Sequence, residues 1–100
     1  MCDNKLTKHD QHVEALCQRL SGYDRVLSHV TIQSPKNRPV AEADVLAFRG
    51  DVCDVFEVKC SHRIVKARQQ LLKLRKHLEK EYPVGNLFFY CGDSGMIFTM

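Results

Sequence analysis

The stretch that most restricts this chain is AEADVLAFRGDVCDVFEVKC, residues 41–60. Two runs of strand-forming residues, about 42–48 and 53–60, flank a short Arg-Gly-Asp turn and read as a β-hairpin. Within those strands stand Asp44, Glu57 and Lys59. An unpaired charge in a buried strand costs on the order of several kcal/mol, so these three residues need a reason to be there.

The remaining segments supply the surroundings. Leu6, Val13, Leu16, Cys17 and Leu20 fall at helical spacing, with Gly22 placed to end the helix. RVLSHVTI, residues 25–32, is rich in β-branched residues and predicts a strand, and the two prolines of QSPKNRPV predict a loop. A second helix is expected over about 62–80, capped by Ser61, with Ile64, Ala67, Leu71, Leu74 and Leu78 as its apolar stripe. NLFFYC and MIFTM, around a Gly-Asp-Ser-Gly turn, predict two last strands. The order is α-β-β-β-α-β-β. A helix between the third and fourth strands implies a crossover, hence a mixed central sheet flanked by helices in one α/β domain over 1–100.

Strand alternation places Glu57 and Lys59 on one face with Val55, while Phe56, Val58 and Cys60 take the other and pack. Across the hairpin, Asp44 lies within reach of Glu57. Two converging carboxylates repel unless a cation lies between them, and a hard divalent ion is held by such carboxylates with a backbone carbonyl and waters. The lysine beside them can stabilise a developing oxyanion or orient a water. The alternative is an internal salt bridge of Lys59 with Glu57 or Asp44, without chemistry.

Asp44 followed by Glu57-Val58-Lys59, on consecutive strands, resembles the D-x(n)-E-x-K signature of the PD-(D/E)xK, or restriction-endonuclease-like, nuclease superfamily. The core order of that group, α-β-β-β-α-β, is the order read here. The proline of the "PD" element is replaced by Ala43. The resemblance implies a metal-dependent endodeoxyribonuclease, with Mg²⁺ or Mn²⁺ held by Asp44, Glu57 and the Val58 carbonyl, and Lys59 assisting water attack on a phosphodiester. It is nearest to archaeal-type Holliday junction resolvases. In those enzymes a glutamate of the first helix reaches the metal, and Glu14 is similarly placed, although taken alone it also fits a solvated surface glutamate. They act as homodimers on branched, four-way DNA.

The charge distribution bears on a nucleic-acid partner. Net charge is only +3, but seven basic residues against one acid lie between 63 and 80. Arg63, Lys66, Gln70, Lys73 and His77 form one flank of that helix, suited to a phosphate backbone, although each alone also fits a solvated surface. Gln70-Leu71 also matches a Gln-Leu that related nucleases carry after E-x-K. Lys36 and Arg38 add a basic, mobile loop before Asp44. Glu42 is a candidate auxiliary ligand or a rim carboxylate. His9 and His12 have ligand-like spacing but no third partner in register, so they read as surface residues; Tyr23 and Tyr90 read as half-buried packing, and His62 as a candidate phosphate contact. Five cysteines without a C-x-x-C motif read as buried thiols rather than a disulfide framework, in a cytoplasmic type of compartment. With no run approaching the ~20 apolar residues of a membrane span, no membrane association is expected. Rival functions are a catalytically degenerate nuclease fold that only binds nucleic acid or protein, an RNA-cleaving nuclease, or a thiol enzyme using Cys60.

Overall fold

Hydrophobic alternation and helical stripes account for the elements found in a computed structural model of the chain, which describes residues 7–100. Helix α1 spans Lys8–Arg19, followed by β1 (Arg25–Gln33), β2 (Pro39–Arg49) and β3 (Val52–Lys59). Helix α2 covers Ile64–Leu78 and precedes β4 (Val84–Cys91) and β5 (Met96–Thr99). The expected order and mixed sheet are present: five strands lie in sequence order, antiparallel except for the parallel β3–β4 pair. Helix α2 is the crossover between those parallel strands.

Each helix buries one stripe on one face of the sheet. Val13 and Leu16 of α1 pack with Val45, Ala47, Phe56, Val58 and Tyr90. On the opposite face Leu71, Leu74 and Leu78 of α2 meet Leu46, Phe48, Val55 and Leu87. Thr7 starts α1 by accepting the Asp10 N–H at 3.0 Å. The expected Leu6 of the stripe and Cys2 lie outside the described residues. Helix α1 ends at Arg19, short of Gly22, whose φ of +79° serves the turn into β1 instead.

Two boundaries differ from expectation. Ser61 does not cap α2: the N-cap is Arg63, without a side-chain cap, because a turn in which Arg63 N–H donates to the Ser61 carbonyl intervenes. Strand β2 begins at Pro39 rather than near 42, since a proline at the first position of a strand loses no ladder bond. The loop shrinks to a tight turn in which Ser34 Oγ accepts the N–H groups of Lys36 and Arg38.

Strand alternation breaks at one place, and it is the place that matters. Val45 belongs to the α1-side cluster and Ala43 to the α2-side cluster, although a two-residue period would keep them together. Opposite, in β1, Val26 packs toward α1 but Val30 and Ile32 toward α2. Pairing of Ser28 with Val45 and Val30 with Ala43 sets His29 against Asp44 at the change of phase, and His29 adopts a φ of +52°. A left-handed residue other than glycine costs about 1–2 kcal/mol, and here it rotates the whole β1–β2 ribbon. Among the described residues no helix is long and apolar enough to cross a membrane.

A buried carboxylate pair at the divergence of β2 and β3

The β2–β3 ladder stops at Val45 opposite Phe56. One residue further, Asp44 replaces the ladder with its side chain: Val58 N–H donates to Asp44 Oδ2 at 2.9 Å. Asp44 is thereby held where the two strands part, and only 5% of it is exposed. Glu57 beside it is 4% exposed. Lys59 Nζ reaches Glu57 Oε2 at 3.3 Å, from a side chain 19% exposed. The three charged residues of the hairpin, with the Val58 backbone between them, are therefore one cluster.

Burial pushes the Glu57 carboxyl up to about 8, helped by the neighbouring Asp44 charge and opposed by Lys59. Once Glu57 releases its proton, one ammonium faces two buried carboxylates. The deficit is one of positive charge among hard oxygens: Asp44, Glu57 and the Val58 carbonyl. This donor set suits a hard divalent cation that keeps several waters. It does not suit a structural zinc site, which takes four nitrogen or sulfur ligands. Among the described residues there is no group of three or more His, Cys, Asp or Glu side chains that could hold a metal ion.

Helix α1 contributes a different residue from the one expected. Glu14 is exposed and lines a surface cavity with Asp10, Val13, Cys17, Ser28 and His29, a lining that includes neither Asp44 nor Glu57. The residue brought to the site is His9, whose Nε2 lies 3.1 Å from the Val58 carbonyl and 3.4 Å from Asp44 Oδ2. A carbonyl only accepts, so Nε2 carries the proton. On its other side Nδ1 lies 3.9 Å from Asp10 Oδ1, which is 3.6 Å from His29 Nε2. The His9 and His29 rings meet edge to face, with centroids 6.4 Å apart. The correction has a geometric reason: His9, Val13 and Leu16 fall at offsets 0, 4 and 7 on the buried stripe, and Glu14 does not. That spacing was the available signal.

The basic residues divide by position. Arg63, Lys66, Gln70 and Lys73 are all exposed along α2. Lys36 and Arg38 are exposed as well, but their turn sits at the far end of that helix: Ser34, Pro35 and Asn37 share a cavity of about 310 Å³ with His77 and Lys80. Arg38 is six residues from Asp44, on the order of 20 Å of extended strand. The turn therefore continues the α2 flank and does not abut the carboxylates, contrary to the expectation for it. Glu42 is exposed. Gln70 is exposed on α2, and no contact links it to Lys59.

Of the other candidates, Tyr90 and His12 pack, while His62 is exposed. Tyr90 is buried under the Arg19 guanidinium, 5.6 Å from its ring centroid. His62 lies edge-on to Phe89 and Phe98. His12 packs its ring against Gly92, where a Cβ would collide with it. Cys17, Cys53, Cys60 and Cys91 are free thiols, and burial pushes Cys53 up to about 11 and Cys17 upward, the opposite of an activated nucleophile. A third buried carboxylate, absent from the sequence expectations, stands apart from this cluster: Asp54, 6% exposed, accepts from Tyr23 Oη at 2.7 Å and from Asn86 N–H at 2.8 Å.

No model of a known protein family matches the sequence, and no curated protein is significantly similar to it.

Proposed function

We propose that the chain is a divalent-metal-dependent nuclease that hydrolyses DNA phosphodiesters, with a restriction-endonuclease-like core. One observation carries this reading: Asp44 and Glu57 converge with Lys59 and the Val58 carbonyl at the divergence of β2 and β3, with positive charge in deficit. The sheet order, the parallel β3–β4 pair and the helix on each face are compatible with that core.

Asp44, Glu57 and the Val58 carbonyl would hold Mg²⁺ or Mn²⁺. The cation supplies Lewis acidity toward the phosphoryl oxygens and an acidified water. Asp44 is oriented for this task by the Val58 amide, which fixes Oδ2 without using the carboxylate's other lone pairs. Lys59, partly exposed and 3.3 Å from Glu57 Oε2, would donate to the attacking water or to a non-bridging phosphate oxygen. The exposed flank Arg63–Lys66–Gln70–Lys73 gives the phosphate backbone a path along α2. A four-way junction presents paired scissile strands, which a two-fold dimer of this chain would match.

The test is cleavage of supercoiled plasmid and four-way-junction DNA, with Mg²⁺ or with chelator, by the wild type, Asp44→Asn, Glu57→Gln and Lys59→Ala. Nicking that needs Mg²⁺ and all three side chains is expected. Equal behaviour of the wild type and all three variants sinks the nuclease reading. Binding without cleavage indicates a nucleic-acid-binding module, and faster cutting of RNA in parallel reactions reassigns the substrate.

A further inference from the structure

We infer that His9 is a gate on the cation position, competing with the metal for the same two oxygens. This rests on the cation site proposed above. The Nε2–H of His9 lies 3.1 Å from the Val58 carbonyl and 3.4 Å from Asp44 Oδ2. A divalent ion bridging Asp44 and Val58 must coordinate those oxygens at about 2.0–2.1 Å, the distance Mg²⁺ demands. A proton donor and a cation do not share that space, so the ring withdraws when the ion enters.

The surroundings allow the withdrawal and offer a place for it. His9 sits in the first turn of α1, with its side chain 37% exposed, so rotation of the ring does not disturb Val13 or Leu16 beneath. Asp10 Oδ1 stands between the two imidazoles, 3.9 Å from His9 Nδ1 and 3.6 Å from His29 Nε2. Rotating His9 outward exchanges its bond to Val58 for one to Asp10. His29 is kept beside Asp10 by the left-handed kink of β1, which gives that strained residue a use. The groups facing His9 are thus Asp10 of α1, His29 of β1, Asp44 of β2 and the Val58 carbonyl of β3.

The test is Mg²⁺ affinity by titration calorimetry at fixed pH, on the wild type, His9→Ala, Asp10→Asn, the double variant and Asp44→Asn. A gate predicts that His9→Ala binds Mg²⁺ about two- to tenfold tighter, the range of one ordinary hydrogen bond removed from the competing arrangement. Asp10→Asn should bind more weakly, and its effect should shrink in the His9→Ala background, where no ring needs a new partner. Imidazole nitrogen resonances of His9 should shift on adding Mg²⁺ to the wild type and stay still in Asp44→Asn. Weaker binding by His9→Ala makes His9 a ligand, and unchanged binding makes it a bystander; either overturns the gate. Absence of Mg²⁺ binding in both proteins overturns the gate together with the cation site. Asp44-dependent binding without DNA cleavage removes only the nuclease reading and leaves the gate to the affinity ratio.

Discussion

Strand β3 carries a buried carboxylate near each of its ends, and the two are held in opposite ways. Both stand where strand pairing is irregular: Asp54 at a register shift against β4, Glu57 beyond the last β2 pair. Asp54 is answered by neutral donors that fit it, the Tyr23 hydroxyl at 2.7 Å and the Asn86 amide at 2.8 Å. The Tyr23 hydroxyl is in turn pushed up to about 12 by burial and by this bond. Glu57 has one charged partner, Lys59, and a like charge, Asp44, beside it. One end is a closed hydrogen-bonded anchor, and the other is left with a demand for positive charge. Burial alone therefore does not single out a candidate metal ligand in this fold; under the proposed function the unbalanced charge around Glu57 does.

The comparison breaks most visibly in activity. Asp44→Asn and Glu57→Gln are each expected to lower DNA cleavage by about a thousandfold or more, since several kcal/mol of cation-derived stabilisation go with the ligand. Asp54→Asn is expected to leave the cleavage rate per folded molecule within a few-fold of wild type. Equal losses at both ends would remove the distinction between anchor and site.

Stability should divide the other way. Asp54→Ala removes the acceptor of the half-buried Tyr23 hydroxyl and of the Asn86 N–H, two hydrogen bonds worth about 0.5–1.5 kcal/mol each. The same anchor is reached through Gly85, where an added Cβ would run into Asp54 Oδ1 and crowd Val52. Gly85→Ala is accordingly expected to lose about 1–3 kcal/mol by overpacking. Both losses are read from denaturant midpoints at unchanged slope, and intact stability in Asp54→Ala would show the anchor to be idle.

Much of this architecture is legible in the residues. The stripe Ala67, Leu71, Leu74 and Leu78 is buried as its spacing requires, and alternation brings Glu57 and Lys59 to one side. What escapes is whatever depends on a departure from periodicity. The exchange of faces at His29 and Asp44 comes from a left-handed residue that is not glycine, which no propensity announces. Helix α1 could be drawn as a wheel, but its rotation over the sheet is set by Val13 and Leu16 meeting Val45, Ala47 and Phe56, contacts remote in sequence. That rotation turns His9 in and Glu14 out. Asp54 was readable: it shares a face with Phe56 by alternation, and its acceptor capacity required partners that only the fold identifies.

The pH dependence sharpens the contrast further. Glu57 holds its proton up to about pH 8 in the folded chain, against an ordinary value of 4.5. Between those values the folded state binds a proton that the unfolded state has released, so stability falls as pH rises through that window. Glu57→Gln removes this loss, and its advantage over wild type should open from about pH 5 and level off above pH 8. Adding Mg²⁺ at pH 8.5 should restore the wild type, by about 2.7 kcal/mol at a hundred times the dissociation constant. The variant, lacking a ligand, should gain much less. A wild-type stability that is flat from pH 5 to 8 would place Glu57's charge under better compensation than Lys59 alone provides.

The smallest expected effects concern the basic flank, and there the useful quantity is a slope. Lys66 and Lys73 lie on the exposed side of α2, and Lys36 lies at the turn beyond the helix's C-terminal end. A side chain that contacts one phosphate lowers the salt dependence of DNA affinity by about one counterion when removed, whatever the DNA sequence. Lys66→Ala and Lys73→Ala should each do this while leaving the single-turnover rate at saturating DNA unchanged. Lys36→Ala should match them only where the bound DNA is long enough to run from the carboxylate cluster past the end of α2. Shortening the duplex therefore separates the two groups: a Lys36 contribution that disappears before those of Lys66 and Lys73 traces the path along the helix. One that persists on the shortest cleavable DNA places the backbone on another course, across the β1–β2 ribbon.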